Sequence, residues 1–373
     1  MHGSIHLGKI AGISIDLHFT WFIIFAIVVF WIGAGVMSGV PGIQPGVRWA
    51  WGVAVALVFF LSLLLHELAH SLVARRLGIG ISGITLLIFG GVSRMTSEPQ
   101  SAKDELKMAI AGPATSMILG AIFLSLSLAV SHSAKPMVHL GLFWLGLINL
   151  VLAGFNLLPG FPLDGGRVLR AIVWSTTGDL RHATYVGSMA GQGVAYLLMA
   201  FGVFALFTPK GFVNGLWFIL IGWFLLDAAR SGYQQQLLQS ALSGVRIKDI
   251  MTTDVVTIAP EATVQQAVDD YFLRLNYAAF PVADGHYLRG ILTLAHVRQV
   301  PREQWADTRV GDVVEPLDQT RMMRPTDDAW DALAAMAGAD QGRVLVVDGG
   351  ELVGIISRTN IMRFLRTKMG LGM

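Results

Sequence analysis

No cysteine occurs in the 373 residues. That absence removes a disulfide framework, a thiol nucleophile and every Cys-based zinc or iron–sulfur site. Any metal must therefore sit on His, Asp or Glu. Charge is the second scarcity: Asp, Glu, Lys and Arg make up 14% of the chain, where soluble domains carry about a quarter. The net charge is only +2, and no Lys/Arg-rich run is present to follow a nucleic-acid backbone, which argues against nucleic acid as a partner.

What is abundant is hydrocarbon. The chain is 54% hydrophobic with a mean hydropathy of +0.60, which points to a membrane protein. The charges are unevenly spread: residues 1–240 hold 13 Lys/Arg and 8 Asp/Glu, whereas residues 241–373 hold 14 and 17. Two chemically different parts, 1–240 and 241–373, are expected. The first apolar run is too long for a signal-peptide core and reads as a spanning helix that stays.

A spanning helix needs about 20 mainly apolar residues. Gaps between charges give six candidates: Leu17–Met37, Trp49–Ala74, Met108–Ser131, Pro136–Leu163, Ala183–Phe207 and Phe212–Leu226. Lys and Arg collect in cytoplasmic loops. One set of alternate loops holds Arg48, Lys135 and Lys210; the other holds Lys9, the charges from Arg75 to Lys107, the trio Arg167, Arg170 and Arg181, and Arg230. Both termini of this multi-pass cell-membrane protein are thus expected in the cytoplasm. The ten tryptophans read as interface anchors, His18 as a packed or hydrogen-bonded histidine, and Asp227 with Arg230 as an interfacial pair.

Between the second and third spans, Ile79–Met95 is β-branched and broken by Gly83, Gly90 and Gly91, which reads as strand and turn. Irregular backbone at membrane depth is tolerated only where protein or a water-filled cavity satisfies it. A membrane-associated β-hairpin lying against a site is the expectation.

The last 130 or so residues repeat at an interval of about 64. Asp249 matches Asp312, Pro260 matches Pro325, Asp284-Gly285 matches Asp348-Gly349, and Gly290 matches Gly354. Strand-like runs (Ala279–Val282, Leu288–Leu292, Arg343–Val347, Leu352–Ile356) alternate with amphipathic helical runs (Thr263–Leu273, Asp327–Met336). A soluble paired α/β module follows, with repeats over about 246–300 and 309–366.

The chemistry lies in His66-Glu67-Leu68-Ala69-His70. Residues four apart share a helical face, so two imidazoles can meet one Zn²⁺ with a glutamate beside them as general base. Ionisable groups in a spanning segment are expensive and mark functional sites; the bland alternative is a helix-end cluster near Arg75 and Arg76. Catalytic zinc takes three protein ligands, and Asp164 is the best candidate for the third. It follows a 28-residue charge-free run, Pro136–Leu163, at the expected cytoplasmic end of the fourth span. The histidine pair lies at a similar depth, roughly 13 Å from Arg75 at the helical rise. The alternative for Asp164 is a helix C-terminal turn in which Gly165 and Gly166 are stop signals.

With these motifs the chain resembles the site-2 protease family of intramembrane zinc metalloproteases, in the branch carrying a C-terminal pair of cystathionine β-synthase-type (CBS) domains. The likeness covers essentially the whole chain. It implies that His66 and His70 are zinc ligands, that Glu67 is the catalytic glutamate, and that Asp164 is the third ligand of an N-x-x-P-x-x-P-x-D-G pattern beginning at Asn156. Asn156 would place the substrate or polarise its carbonyl. Phe89-Gly90-Gly91 and Gly112-Pro113 also look like family signatures, with Gly90 and Gly91 expected beside the substrate.

The implied fold is a polytopic α-helical membrane protein, about six transmembrane helices with a membrane-associated β-hairpin, followed by a soluble α/β tandem CBS module. The implied activity is zinc metalloendopeptidase, with one catalytic Zn²⁺, cutting membrane-spanning proteins in or near the bilayer (regulated intramembrane proteolysis). The Ile81–Val92 strands would hold the unwound substrate by edge pairing, with Ile84 and Leu86 the positions to block. CBS pairs commonly bind adenine nucleotides and associate in pairs, which implies a homodimer. The carry-over is incomplete, because His296 and Asn360 stand where the pattern has a ribose-holding aspartate, although Thr293 and Ser357 offer hydroxyls. Nucleotide sensing and a structural, dimer-forming role both stay open. Two competing readings are a CBS-regulated transporter, which leaves the shared depth of the two motifs unexplained, and a metal-binding pseudoprotease scaffold, which requires a missing ligand or base.

Overall fold

The computed structural model describes residues 4–40, 42–88, 90–95, 97–130, 135–209, 211–285, 287–316, 322–338 and 342–370; Phe89, Ser131 and Lys210 lie outside them. The chain forms two compact units, 1–236 and 237–373.

The first unit opens with two strands, β1 (Ser4–Ile10) and β2 (Ile13–His18). The first span was expected from Leu17, but Leu17 and His18 end a strand and helix α1 (Trp21–Phe30) begins after them, extending through further helical turns to Gly39. The reason is periodicity. Ile13, Ile15 and Leu17 are buried while Ser14, Asp16 and His18 between them are not, the alternation of a half-buried strand. His18 Nδ1 lies 2.9 Å from Thr20 Oγ1 at the start of α1.

Then come α2 (Pro45–Arg76), β3 (Ile81–Leu87), β4 (Gly90–Met95), α3 (Ala102–Ala129) and α4 (Pro136–Asn156). They are followed by α5 (Asp164–Thr177), α6 (Leu180–Leu206) and α7 (Phe212–Leu242). Among the described residues six helical stretches, all but α5, are long and apolar enough to cross a membrane. The fourth span stops earlier than expected, at Asn156, because Pro159 and Pro162 cannot continue a helix. The sixth runs on past Leu226 to Leu242, carried by good helix formers such as Gln234, Gln235 and Leu237. The expected Asp227–Arg230 pair is not formed among the described residues; Arg230 Nη2 donates instead to Tyr196 Oη at 2.8 Å.

The strands form one sheet in the order β1-β2-β3-β4. β2 and β3 run parallel, and the outer pairs are antiparallel. The expected hairpin is therefore the outer half of a four-stranded sheet. Ile84 and Leu86, expected on an edge, lie on the interior strand β3 and are buried with Ile13, Ile15, Leu17, Trp21, Phe60 and Leu63. The outer strand on this side is β4.

The second unit contains α8 (Val264–Gln266), α9 (Leu273–Leu275), β5 (Ala279–Asp284), β6 (Tyr287–Thr293), α10 (Leu294–Gln299), β7 (Glu315–Pro316) and β8 (Met322–Met323). It ends with α11 (Ala329–Gly338), β9 (Arg343–Asp348), β10 (Glu351–Ser357) and α12 (Arg358–Gly370). Its sheet runs β5-β6-β10-β9-β8, with β7 on β6. Each repeat keeps its own core, one around Phe280 and Leu292, the other around Val344, Ile356 and Leu242 from the last turn of α7.

Candidate metal centre

Helix α2 carries His66 and His70 one turn apart, so both imidazoles project from one face. Their Nε2 atoms are 3.3 Å apart. Asp164 is the first residue of α5, and its Oδ2 lies 3.2 Å from His66 Nε2 and 3.1 Å from His70 Nε2. Asp164 thus begins a helix instead of ending one. Gly165 and Gly166, read as possible stop signals, sit inside its first turn. A Cβ on Gly165 would stand 2.3 Å from the Leu157 carbonyl oxygen, and one on Gly166 2.4 Å from backbone at Gly160.

A zinc ion holds histidine nitrogen and carboxylate oxygen at about 2.0–2.2 Å, so three donor atoms separated by slightly more than 3 Å can share one ion. The donor set is also prepared for a cation. His70 Nδ1 lies 2.7 Å from the Met108 carbonyl oxygen, which can only accept, so the proton is on Nδ1 and the lone pair of Nε2 faces Asp164. His66, 2% exposed, has its Nδ1 2.9 Å from Ser116 Oγ. Helix α3 supplies both supports and also vacates the space between the rings. A Cβ on Gly112 would lie 2.1 Å from His70 Nε2 and 2.6 Å from His66 Nε2. These residues fit a zinc ion.

Glu67 lies beside the cluster, lining with it a cavity of about 600 Å³. Strand β4 presses against it. Ser93 Oγ donates to Glu67 Oε2 at 3.3 Å, Ser71 Oγ is 3.1 Å from Ser93 Oγ, and a Cβ on Gly91 would be 2.3 Å from Glu67 Cγ. Gly90, at φ +129°, lines the same cavity. So does Asn156 at the end of α4, whose Nδ2 donates to the Leu152 carbonyl at 3.0 Å. Apolar walls come from α1 (Ile24, Val28) and α7 (Trp217, Ile221, Leu225).

Helix α5 is fixed by a buried ion pair that the sequence did not announce. Glu105 of α3 is fully buried, Arg170 Nε donates to its Oε1 at 2.6 Å, and the guanidinium lies over the Phe161 ring. Removing one partner of such a pair leaves the other charge buried and unpaired at a cost of about 3–5 kcal/mol, so α5, which begins with Asp164, packs on α3 only with both present. Ser93, Ser116 and the Met108 carbonyl were likewise missed by sequence reasoning; for Ser116 the nearby Gly112-Pro113 signature was the available signal.

Thr293 and Ser357, the hydroxyls expected at the CBS cleft, cap helices. Thr293 Oγ1 accepts from the His296 amide and Ser357 Oγ from the Asn360 amide, both at 3.3 Å. The His296 and Asn360 side chains accept in return from the Thr293 and Ser357 amides. Asn360 Nδ2 also donates to Thr252 Oγ1 at 3.0 Å.

Comparison with known proteins agrees with this geometry. Residues 54–137 and 128–201 match Peptidase family M50, and residues 247–303 and 310–367 match the CBS domain. Rip3 of Mycobacterium tuberculosis, which carries a zinc-metalloprotease name, is 36% identical over 370 residues, covering 98% of this chain and 93% of that protein. The chain belongs to peptidase family M50. This M50 chain is also 33% identical to the zinc metalloprotease MJ0392 of Methanocaldococcus jannaschii, over 97% of its own length and 96% of the relative's. The solved site-2 protease from Methanocaldococcus jannaschii is 34% identical, with a TM-score of 0.44, covering 62% of this chain and 95% of that one. The M50 chain is thus a zinc metalloprotease of the site-2 protease kind, a multi-pass membrane protein with a tandem CBS module.

Proposed function

We propose that the protein is an intramembrane endopeptidase that hydrolyses peptide bonds in or near the spanning segments of membrane-tethered proteins. The observation that carries this reading is the convergence of His66, His70 and Asp164 within 3.3 Å of one another, with Glu67 in the same cavity among apolar helices. His66, His70 and Asp164 would hold one Zn²⁺. Bound there, zinc would supply Lewis acidity, making water acidic enough to serve as a nucleophile near neutral pH.

The chain's own residues do the rest. Glu67 takes a proton from the attacking water as its oxygen adds to the scissile carbonyl carbon, and delivers that proton to the nitrogen as the C–N bond breaks. Ser93 holds the Glu67 carboxylate in place. Asn156 sits where it can orient the substrate carbonyl. A helical substrate hides its carbonyls in hydrogen bonds and must unwind first; strand β4 offers the unwound segment main-chain pairing. The distribution of Lys and Arg supports an orientation with both termini in the cytoplasm. The CBS pair is the regulatory module, acting through a second copy of the chain or through an adenine nucleotide.

The test compares native cells carrying wild type with cells carrying Glu67→Gln, a change that keeps the metal donors and removes the base. Quantitative membrane proteomics should show one or a few single-span proteins accumulating uncut in the mutant. No accumulation, with wild-type protein present and zinc-loaded, overturns the reading.

A further inference from the structure

We propose that Arg167 is a further catalytic residue, donating hydrogen bonds to the scissile carbonyl oxygen and to the negative charge that develops on it. The proposal rests on the peptidase reading above. Arg167 stands one turn after Asp164 on α5, so the two side chains share a helical face. It lines the cavity that also contains Glu67, His66 and His70.

Its partners are what set it apart. Arg167 Nη1 lies 3.9 Å from Met95 Sδ and 4.0 Å from Met108 Sδ, and a thioether is a weak acceptor. Among the described residues no carboxylate oxygen lies within the 4.0 Å of an ion pair. One turn on, Arg170 is fully engaged by Glu105 and stacked on Phe161. Arg167 instead sits between two sulfurs, one from β4 and one from α3, which confine the side chain without consuming its donors.

An unpaired guanidinium beside a general base has a use. Peptide hydrolysis moves negative charge onto the carbonyl oxygen, and donors already aimed there act on the transition state without reorganising. The planar fork of Arg suits two-point donation to an oxygen centre in a way the ammonium of Lys does not. Lining the cavity, the guanidinium is within reach of a substrate oxygen that enters it.

The experiment uses the purified, zinc-loaded full chain in detergent and two ligands built on one short apolar peptide. The first is a phosphinate, which places a tetrahedral anion at the scissile position; the second is a hydroxamate, which chelates zinc without that tetrahedral centre. Arg167→Gln should weaken the phosphinate about 10²- to 10³-fold, the usual loss for one oxyanion donor. It should leave hydroxamate affinity and zinc content near wild type, and Arg167→Lys should recover part of the loss. Unchanged phosphinate affinity overturns the proposal; so does equal weakening of both ligands or loss of zinc, either of which makes Arg167 a support for Asp164. Should the Gln variant fail to fold, the Lys variant decides. A loss confined to the phosphinate supports the proposal, and wild-type affinity for it does not. Zinc-loaded wild type that binds neither ligand overturns the peptidase reading, and this proposal with it.

Discussion

At Gly112 the side chain must be hydrogen, because the space a methyl group would take is where the two histidine nitrogens converge. The resulting distances of 2.1 and 2.6 Å are far inside van der Waals contact, and neither α3 nor α2 can retreat without losing the Ser116 and Met108 supports. Alanine is the better helix former by about 1 kcal/mol, so Gly112→Ala should leave α3 intact. Metal analysis of the purified variant should show zinc reduced at least tenfold with the helical circular dichroism unchanged; full zinc occupancy refutes the steric argument. At this scale the sequence was legible where chemistry is local. His66, Glu67 and His70 declare themselves by i,i+4 spacing, and Asp164 by its place after a long charge-free run. Their supports were not legible, since Ser116, Met108 and Ser93 stand 50, 38 and 26 positions from the residues they hold and are ordinary residues in ordinary helices or strands. Arg167 was counted only as a cytoplasmic charge.

Elements were read correctly where one rule governed and misread where two competed. Charge gaps located all six spanning segments, but a gap reports how apolar a stretch is and says nothing of its period. Leu17 was therefore counted into the first span, although its alternation with Ile13 and Ile15 marks a strand. The same oversight put Ile84 and Leu86 on an edge. With β2 unseen, β3 looked like half of a hairpin; paired on both sides, it has no main-chain groups to offer. The available edge is β4, which already holds Gly91 and Ser93 against Glu67. If substrate adds there as a strand, only alternate amides of the bound segment point toward β4. N-methylation of a peptide phosphinate at successive residues should then weaken binding about tenfold at every second position, the worth of one hydrogen bond, and little in between. Uniform tolerance of N-methyl groups would exclude edge pairing.

At the scale of the whole molecule, the metal donors and the CBS hydroxyls fall in different parts of the chain. His66, His70 and Asp164, together with Ser93, Met108 and Ser116 that support them, all fall in residues 1–236, whereas the hydroxyls of Thr293 and Ser357 fall in residues 237–373. Each unit has its own hydrophobic clusters. A ligand that binds only the folded form stabilises the unit that holds it, by about 2.7 kcal/mol at a hundred times its Kd. Scanning calorimetry of the full chain in detergent should resolve two transitions. Chelation of zinc should lower one and leave the other in place; an adenine nucleotide held by the CBS pair would raise only the second. Transitions that move together under chelation would mean the two units unfold as one. A second transition indifferent to millimolar ATP and AMP, yet rising with protein concentration, assigns the CBS pair to dimerisation. Ser357 favours that outcome, because an incoming phosphate must compete there for an O–H already donated to Asn360 Oδ1.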